Sequence, residues 1–309
     1  MINIQQQIVL TLLLFCTATY THAQTNEERI KQYIKEARAQ KNDSAFTSIM
    51  LRADSFANAE KYITGMAEVN NALGSYYYSR DADKCIRYLQ KANEYYMEAG
   101  NKKKATYCLQ NIAFAYQEQK KDIPAALKYV QQAIAARIEL KDTMELANMY
   151  KYIATLYGKL HNFNEGKRYV AEAINLYTIK QARMPIAVSY HDLAEVYKEE
   201  EKYDSCIYWY LKAKDTWQQV KGNPSRIYLW NSNLMEVYTK TNKLNEAEAL
   251  YKENDTVNAT AFYYTDQLSF YKASQAFFEK KKDKKMANEY MTRYDTMKDK
   301  LRKEGKIVE

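Results

Sequence analysis

Apolar residues recur at steps of three and four along most of this 309-residue chain, and not at steps of two. That spacing lays them along one stripe of an α-helix. The stretch Tyr150-Lys-Tyr-Ile-Ala-Thr-Leu-Tyr157 shows the arrangement well. Ile153 and Ala154 sit side by side, and Tyr157 follows one turn later. Beyond a polar break, Gly166, Val170 and Ala173 continue at helical spacing. Small residues let two helices approach closely, and a tyrosine wedges beside them. One such pair cannot bury both of its faces, so it needs copies of itself on either side.

The copies are in the sequence. Tyr77, Tyr116, Tyr157, Tyr197, Tyr238 and Phe278 follow one another at a nearly constant period of about 40 residues. Shortly behind them run Cys85, Ala126, Gly166, Cys206, Ala247 and Ala287. One helical turn later come Leu89, Val130, Val170, Tyr210, Tyr251 and Met291, and two turns after each small residue come Ala92, Ala133, Ala173, Ala213, Asn254 and Tyr294. Tyrosine is abundant, with 30 in the chain, but agreement across four columns is not a product of abundance.

These columns resemble the tetratricopeptide repeat family, whose signature spreads a large residue, Leu-Gly, Tyr, then Ala, an aromatic and Ala over a helix-turn-helix. Asn70-Asn-Ala-Leu-Gly-Ser-Tyr-Tyr77 and Leu193-Ala-Glu-Val-Tyr197, with Cys206, Tyr210 and Ala213, carry the likeness best. It covers roughly residues 26–302, with a spacing near 40 rather than 34 and without most of the closing prolines. The resemblance implies an all-α fold: a right-handed superhelical solenoid of about seven antiparallel helix pairs.

The pairs are expected over 27–58, 61–99, 101–140, 142–180, 182–220, 224–258 and 260–303. The first is degenerate, as suits a terminal repeat with one face in water. Gly100-Asn101 marks a helix end, Asp122 and Pro124 open a helix, and Asn162-Phe-Asn164 reads as a turn. Gly222 stops a helix before Asn223-Pro224 starts the next. The domain reading is a signal peptide over 1–23, a repeat domain over 24–303 and a flexible tail over 304–309. With 7 Gly and 3 Pro, a loop-rich or all-β chain is disfavoured.

The N-terminus places an apolar run, Ile8 to Phe15, before Thr21-His-Ala23-Gln24. This reads as a secretory signal cleaved after Ala23, with no Lys or Arg in its first segment. An uncleaved anchor or a lipidated Cys16 are the alternatives. The run is shorter than the about 20 residues of a membrane span. The expected location is the periplasm of a Gram-negative bacterium, with membrane attachment if the signal stays in place.

Net charge is +8, and residues 279–309 hold 11 Lys or Arg against 7 Asp or Glu. The cluster around Lys280–Lys285 reads as a solvated turn, with weak contact to an anionic membrane surface as the alternative. Nucleic acid is disfavoured because no recognition motif occurs. Cys85 and Cys206 fall in the small-residue column and read as buried thiols, while a Cys85–Cys108 bridge stays open.

Little points to catalysis. His161 falls in a turn. His191 and Asp192 are neighbours on a helix, diverge by about 100° and are not expected to form a dyad. No phosphate loop, no metal-ligand spacing and no cofactor motif occurs, so the reading is non-enzymatic, without metal or cofactor. What remains is a face of the first helices that mixes amides and aromatics. Its stripes are Tyr107, Gln110, Asn111, Phe114 and Glu118, then Asn148, Lys151, Tyr152, Thr155 and Lys159. The next two are Val188, His191, Asp192, Glu195 and Glu199, and Leu229, Ser232, Asn233, Glu236 and Lys240. Amides can hold an extended backbone and aromatic rings can pack its side chains.

Related tetratricopeptide proteins bind peptides or protein tails along a concave face, and peptide-pheromone receptors share the longer repeat. By matching face, the resemblance implies groove residues Tyr107, Asn111, Phe114, Asn148, Lys151, Tyr152, His191, Asp192 and Asn233. The function expected is a scaffold for a peptide or partner protein. The alternative is a sensory component of a bacterial signalling system, since similar exported arrays form the sensory part of membrane regulators. Neither the partner nor the oligomeric state follows from the sequence.

Overall fold

The computed structural model describes residues 25–40, 42–257 and 262–304. The expected signal peptide with its Ala23 cleavage point, residues 305–309 of the tail, and the end of the sixth pair at Asn258 lie outside the described residues. Fourteen helices and no strand make up what is described. They are α1 (25–38), α2 (Asp43–Ala59), α3 (Ile63–Tyr77), α4 (Ala82–Glu98), α5 (Lys102–Ala115), α6 (Ile123–Glu139) and α7 (Thr143–Lys159). There follow α8 (Phe163–Ile179), α9 (Arg183–Glu199), α10 (Tyr203–Gln219), α11 (Pro224–Lys240), α12 (Leu244–Asp255), α13 (Tyr264–Lys280) and α14 (Lys284–Lys303). They form consecutive helix pairs of the tetratricopeptide-like class. Among the described residues, no helix is long and apolar enough to cross a membrane.

The repeat length has a local cause. Most of the helices share one length, 17 residues. A short turn, most often of about three residues, carries the chain into the next helix. Lys141, His161, Gln181, Glu201 and Lys221 each take a left-handed conformation, at φ 52°, 56°, 54°, 59° and 51°. They are evenly spaced, at half the repeat length. After α7, the His161 N–H reaches the Gly158 carbonyl at 2.9 Å and the Asn162 N–H reaches the Tyr157 carbonyl at 2.9 Å. That is the Schellman closure, which satisfies carbonyls left open at a helix end. Lys202 to Tyr197 (2.9 Å) and Ala182 to Tyr177 (2.9 Å) repeat it. Two modules of one helix and one turn make one repeat. A π-helical turn, Tyr116–Lys120, absorbs one extra residue between Gly100 and the left-handed Lys121.

This scheme refines the expected turns. Asn162 is not inside a turn running to Asn164; it caps α8, with its Oδ1 accepting the Glu165 N–H at 3.4 Å. Asp122 and Asn223 cap α6 and α11 as expected. Lys221, not Gly222, takes the left-handed position after α10. A Cβ on Gly222 would overlap the Trp217 indole, so that glycine makes room for a ring.

The chain divides into two compact units, Met1–Met149 and Tyr150–Glu309. In the first, α3 packs on α4, α4 on α5 and α5 on α6. Its cores gather Ile30, Phe46, Met50 and Val69 in one cluster and Cys85, Leu89 and Ile112 in another. At Gly74 the helices come so close that a Cβ would meet Leu89 at 2.6 Å. In the second unit, α9 packs on α10, α11 on α12 and α13, and α13 on α14. Its largest core joins Tyr210, Tyr228, Phe270, Phe277, Phe278 and Tyr290.

The small column is buried throughout: Cys85, Ala126, Cys206 and Ala247 at 0% exposure, Ala287 at 5%, and Gly166 with them. Ala92, Ala133, Ala173 and Ala213 are equally closed. The last repeat departs from the expected columns. Met291 is exposed, and Tyr290, one residue earlier, takes the buried place. Its hydroxyl donates to Asp255 at 3.1 Å and meets the Tyr251 hydroxyl at 2.9 Å, so the aromatic pair sets the register of α14. Tyr294 is only half-buried.

All three described cysteines are free and buried, so Cys85 and Cys108 do not form the bridge left open by the sequence. Burial pushes the Cys85 thiol up to about 11 and those of Cys108 and Cys206 up to about 12, well away from the thiolate.

Two outcomes test this packing. A β-carbon in the left-handed region costs about 1–2 kcal/mol, and the greater freedom of an unfolded glycine takes back about 0.4–1 kcal/mol. Gln181→Gly should therefore stabilise the protein by a net of about 0.5–1 kcal/mol in urea melts. Ala154 is buried to 1% exposure against a neighbouring helix. Ala154→Leu should destabilise by about 1–3 kcal/mol through overpacking, read in the same melts.

Candidate peptide-binding face

In the second unit, α7, α9 and α11 present adjoining faces, and side chains of all three meet in one polar network. Lys151 of α7 reaches Asp192 of α9 at 2.9 Å (Nζ to Oδ2). One turn on, Lys198 Nζ lies 2.6 Å from Glu195 Oε2. From α11, the Asn233 amide donates to Glu195 Oε1 at 3.2 Å and meets His191 Nε2 at 3.2 Å. The Tyr210 hydroxyl, rising from α10, also donates to Glu195 Oε1. The His191 ring stacks on Trp230 with centroids 5.1 Å apart and lies 5.4 Å from the Tyr210 ring.

This geometry orients the imidazole. A flipped Asn233 would set its oxygen against the Glu195 carboxylate, so the amide nitrogen faces Glu195 and His191. An amide nitrogen only donates, so a neutral His191 would accept at Nε2 and carry its proton on Nδ1. Nδ1 lies 3.7 Å from Asp192 Oδ1. At that distance the two side chains are neighbours without a hydrogen bond: Asp192 is paired with Lys151, and the His191 ring lies on Trp230.

Burial works against ionisation of Asp192, but the His191 contact and the Lys151 charge outweigh it and hold the carboxyl below its usual range. Glu195 behaves likewise: burial opposes its charge, while Lys198, His191 and the Tyr210 hydroxyl more than compensate. The Tyr210 phenol is pushed well above its ordinary value by burial and by Glu195. Half-buried charges of this kind, with 32% of each carboxylate side chain exposed, are held in place by their ion pairs and hydrogen bonds.

Beside the network lies a cleft of about 430 Å³. Ala154, Gly158, Val170 and Val196 form its apolar floor, three of them buried to 8% exposure or less. Lys151, Asp192 and Glu195 close one side. Thr155, Lys159, His161 and Glu199 line the open side.

Of the nine residues expected in a groove, Lys151, His191, Asp192 and Asn233 come together here. Tyr152 is half-buried in the same unit. Tyr107, Asn111, Phe114 and Asn148 belong to the first unit. There the Tyr107 ring lies 4.3 Å below the guanidinium of Arg137, a wholly buried arginine paired with Asp142 at 3.1 Å. Ser232, placed on the outward stripe of α11, is buried instead: its hydroxyl bonds the Tyr228 carbonyl at 2.9 Å and it accepts from Asn254 at 3.1 Å. The sequence does not single out Glu195, Lys198, Tyr210 or Trp230 as site residues. The spacing His191, Glu195, Lys198 is the helical signal that points to two of them. Among the described residues, no group of three or more His, Cys, Asp or Glu could hold a metal.

Fold and site together define a helical-hairpin repeat protein of the tetratricopeptide-like class with a polar face on its first helices. No protein-family model matches the sequence, and no curated protein matches it. Solved structures are similar in fold. Apo RapI is 13% identical, over 89% of this chain and 99% of its own, with a TM-score of 0.62. Aspartyl phosphate phosphatase F from Bacillus subtilis is 14% identical over 96% of this chain and 77% of its own, at 0.59. The Rap conjugation gene regulator of the plasmid pLS20, in complex with a Phr peptide, is 13% identical over 91% and 95%, at 0.51.

Both network carboxyls lie below their unfolded values. They stabilise the fold above the ordinary carboxylate range near pH 4 and lose that contribution as pH falls through their folded values. The double variant Asp192→Asn, Glu195→Gln should show a shallower loss of stability than wild type between about pH 5 and about pH 2 in urea melts.

Proposed function

We propose that this protein is a non-enzymatic, exported scaffold that binds a peptide or an extended segment of a partner protein along the first-helix face of its repeats. The polar network over α7, α9 and α11 carries the reading. An ordinary wet surface holds independent, exposed charges of little consequence. Here half-buried Lys151, His191, Asp192, Glu195 and Asn233 fix one another's geometry beside an apolar cleft. That is the make-up of a preformed ligand site: an apolar floor with a few positioned polar groups. The Asn233 nitrogen is spent on Glu195 and His191, and its amide oxygen is the group offered to a backbone N–H.

Export rests on residues 1–23 and their cleavage after Ala23, and the basic stretch near Lys280–Lys285 is read as a solvated turn. The non-enzymatic reading rests on the side chains present. The carboxylates of Asp192 and Glu195 are tied to lysines, the His191 imidazole meets an amide and a tryptophan, and the His161, Thr155 and Glu199 side chains on the open side are not joined into a nucleophile–base pair by any hydrogen bond among the described residues. One structural neighbour carries the name of a phosphatase, and nothing in this network reproduces that chemistry by itself.

A second reading, a sensory or regulatory component of a bacterial signalling system, draws on a different observation. A neighbour of similar fold is a gene regulator in complex with a peptide. In that reading the peptide held at the face is a signal rather than a client, and the same residues hold it.

Retention of a randomised seven-residue peptide library on the immobilised protein tests the face directly. Wild type should retain a distinct subset of peptides. Asn233→Ala should cut that retention at least tenfold, with far-UV circular dichroism unchanged and stability within about 1 kcal/mol, the worth of a single hydrogen bond. Retention that Asn233→Ala leaves intact, or a wild type that retains nothing, would end the proposal.

A further inference from the structure

Gly158 stands where nothing in the fold asks for a glycine. It lies in the last turn of α7, directly after the repeat's aromatic Tyr157. The equivalent positions of the other repeats carry Tyr78, Gln117, Lys198, Thr239 and Glu279, so the architecture accepts large side chains there. Its backbone is not left-handed; Gly100 is the glycine with positive φ among the described residues. A Cβ built on it would meet nothing within 4 Å. Glycine weakens a helix relative to alanine, so its presence here is a cost without a packing return. What the missing side chain leaves is the cleft, about 430 Å³ against the roughly 300–1,000 Å³ of small-ligand pockets.

We infer that the cleft over Gly158 is an anchor pocket for one uncharged apolar side chain, branched aliphatic or aromatic, of the peptide bound along this face. The inference rests on the peptide-binding reading above and adds the chemistry of the residue that is selected. The floor is apolar, formed by Ala154, Gly158, Val170 and Val196. The charges on the near side are already neutralised in pairs, Lys151 with Asp192 and Lys198 with Glu195. A charged side chain entering the cleft would lose its hydration without gaining an unpaired partner on that side. An apolar one would exchange water for the floor and leave the pairs intact, and the paired rim would hold the adjoining backbone. Gly158 then acts as a specificity-determining position: the depth of the pocket is set by the side chain that is absent.

The test compares wild type, Gly158→Leu and Gly158→Ala on the same randomised seven-residue library, with the retained peptides sequenced. Wild type should enrich apolar residues at one position at least tenfold over Asp, Glu, Lys and Arg. Gly158→Leu fills the cleft and should abolish that enrichment while preferences at the other positions persist. Gly158→Ala, which removes a helix-weakening glycine, should melt at or above wild type and lose only the largest residues, Phe and Trp, from the enriched position. Should the leucine variant fail to fold, shown by circular dichroism, the alanine variant decides the matter through that narrowing. Identical preferences in wild type and both folded variants would overturn the anchor pocket and leave peptide binding standing. A charged residue enriched at that position would overturn it too. A wild type that retains no peptide would overturn both.

Discussion

Two helices can lie against each other only as closely as the side chains between them allow. In this protein the limit is set by one residue per second helix, the buried series Cys85, Ala126, Gly166, Cys206, Ala247 and Ala287. Close approach at that point lets the bulky residue one turn on reach across the pair, as Leu89, Val130 and Val170 do. It works only if every helix arrives with the same phase, and here the turns matter. From α6 to α10, helices of one length, each followed by a left-handed residue in a short turn, return the chain to the same phase at each half-repeat. The chain accepts the strain of lysine, glutamine, glutamate and histidine in left-handed backbone to keep that count. After α5, where the count runs one residue long, a π turn takes up the surplus rather than letting the next helix rotate out of register.

That regularity is what makes the polar face coherent. Since first helices repeat in phase, residues on α7, α9 and α11 that share a face meet without any loop to position them. The network is then held from below: Trp230 and Tyr210 are buried to 1% exposure and fix the His191 ring and the Glu195 carboxylate from the core side. Side chains whose rotamers are fixed before a ligand arrives lose less entropy when it binds. Rigid helices carrying a pre-paired network are therefore better suited to gripping an extended backbone than loops would be.

The helix pairs were legible because each is stated several times. Tyr157 or Ala173 alone says little, but the column repeats them at one period, and burial of Ala92, Ala133, Ala173 and Ala213 is the physical reason that column exists. Turn chemistry was harder to read. Gly222 carries the usual mark of a helix end, yet Lys221 takes the left-handed place and the glycine yields to Trp217. Register at the end of the array was also hidden: Met291 fits the column by count, but the hydroxyl contacts of Tyr290 with Tyr251 and Asp255 decide which residue turns inward. At the site, the face was legible and the pairing was not. Helical geometry separates His191 from Asp192 by angle, and the partners that each one finds, Trp230 and Lys151, lie on other helices.

In an array, the informative residues are those that break the period, and the breaks here are of two kinds. Asn254 stands where earlier repeats have alanine, and the structure answers it in place. Its amide donates to the Tyr228 carbonyl at 2.8 Å and to Ser232 at 3.1 Å, and it accepts from Asn231 at 3.0 Å. Every polar atom introduced by that break finds a partner in the same pair of helices, so the break is complete as a matter of folding. Gly158 receives no such answer. No ring fills the space above it, no close backbone requires it and no left-handed turn needs it. A departure that its surroundings compensate belongs to the architecture. One that weakens a helix and leaves an open, apolar floor beside a fixed polar network is unanswered within the fold, and it is on this contrast that the anchor pocket is inferred.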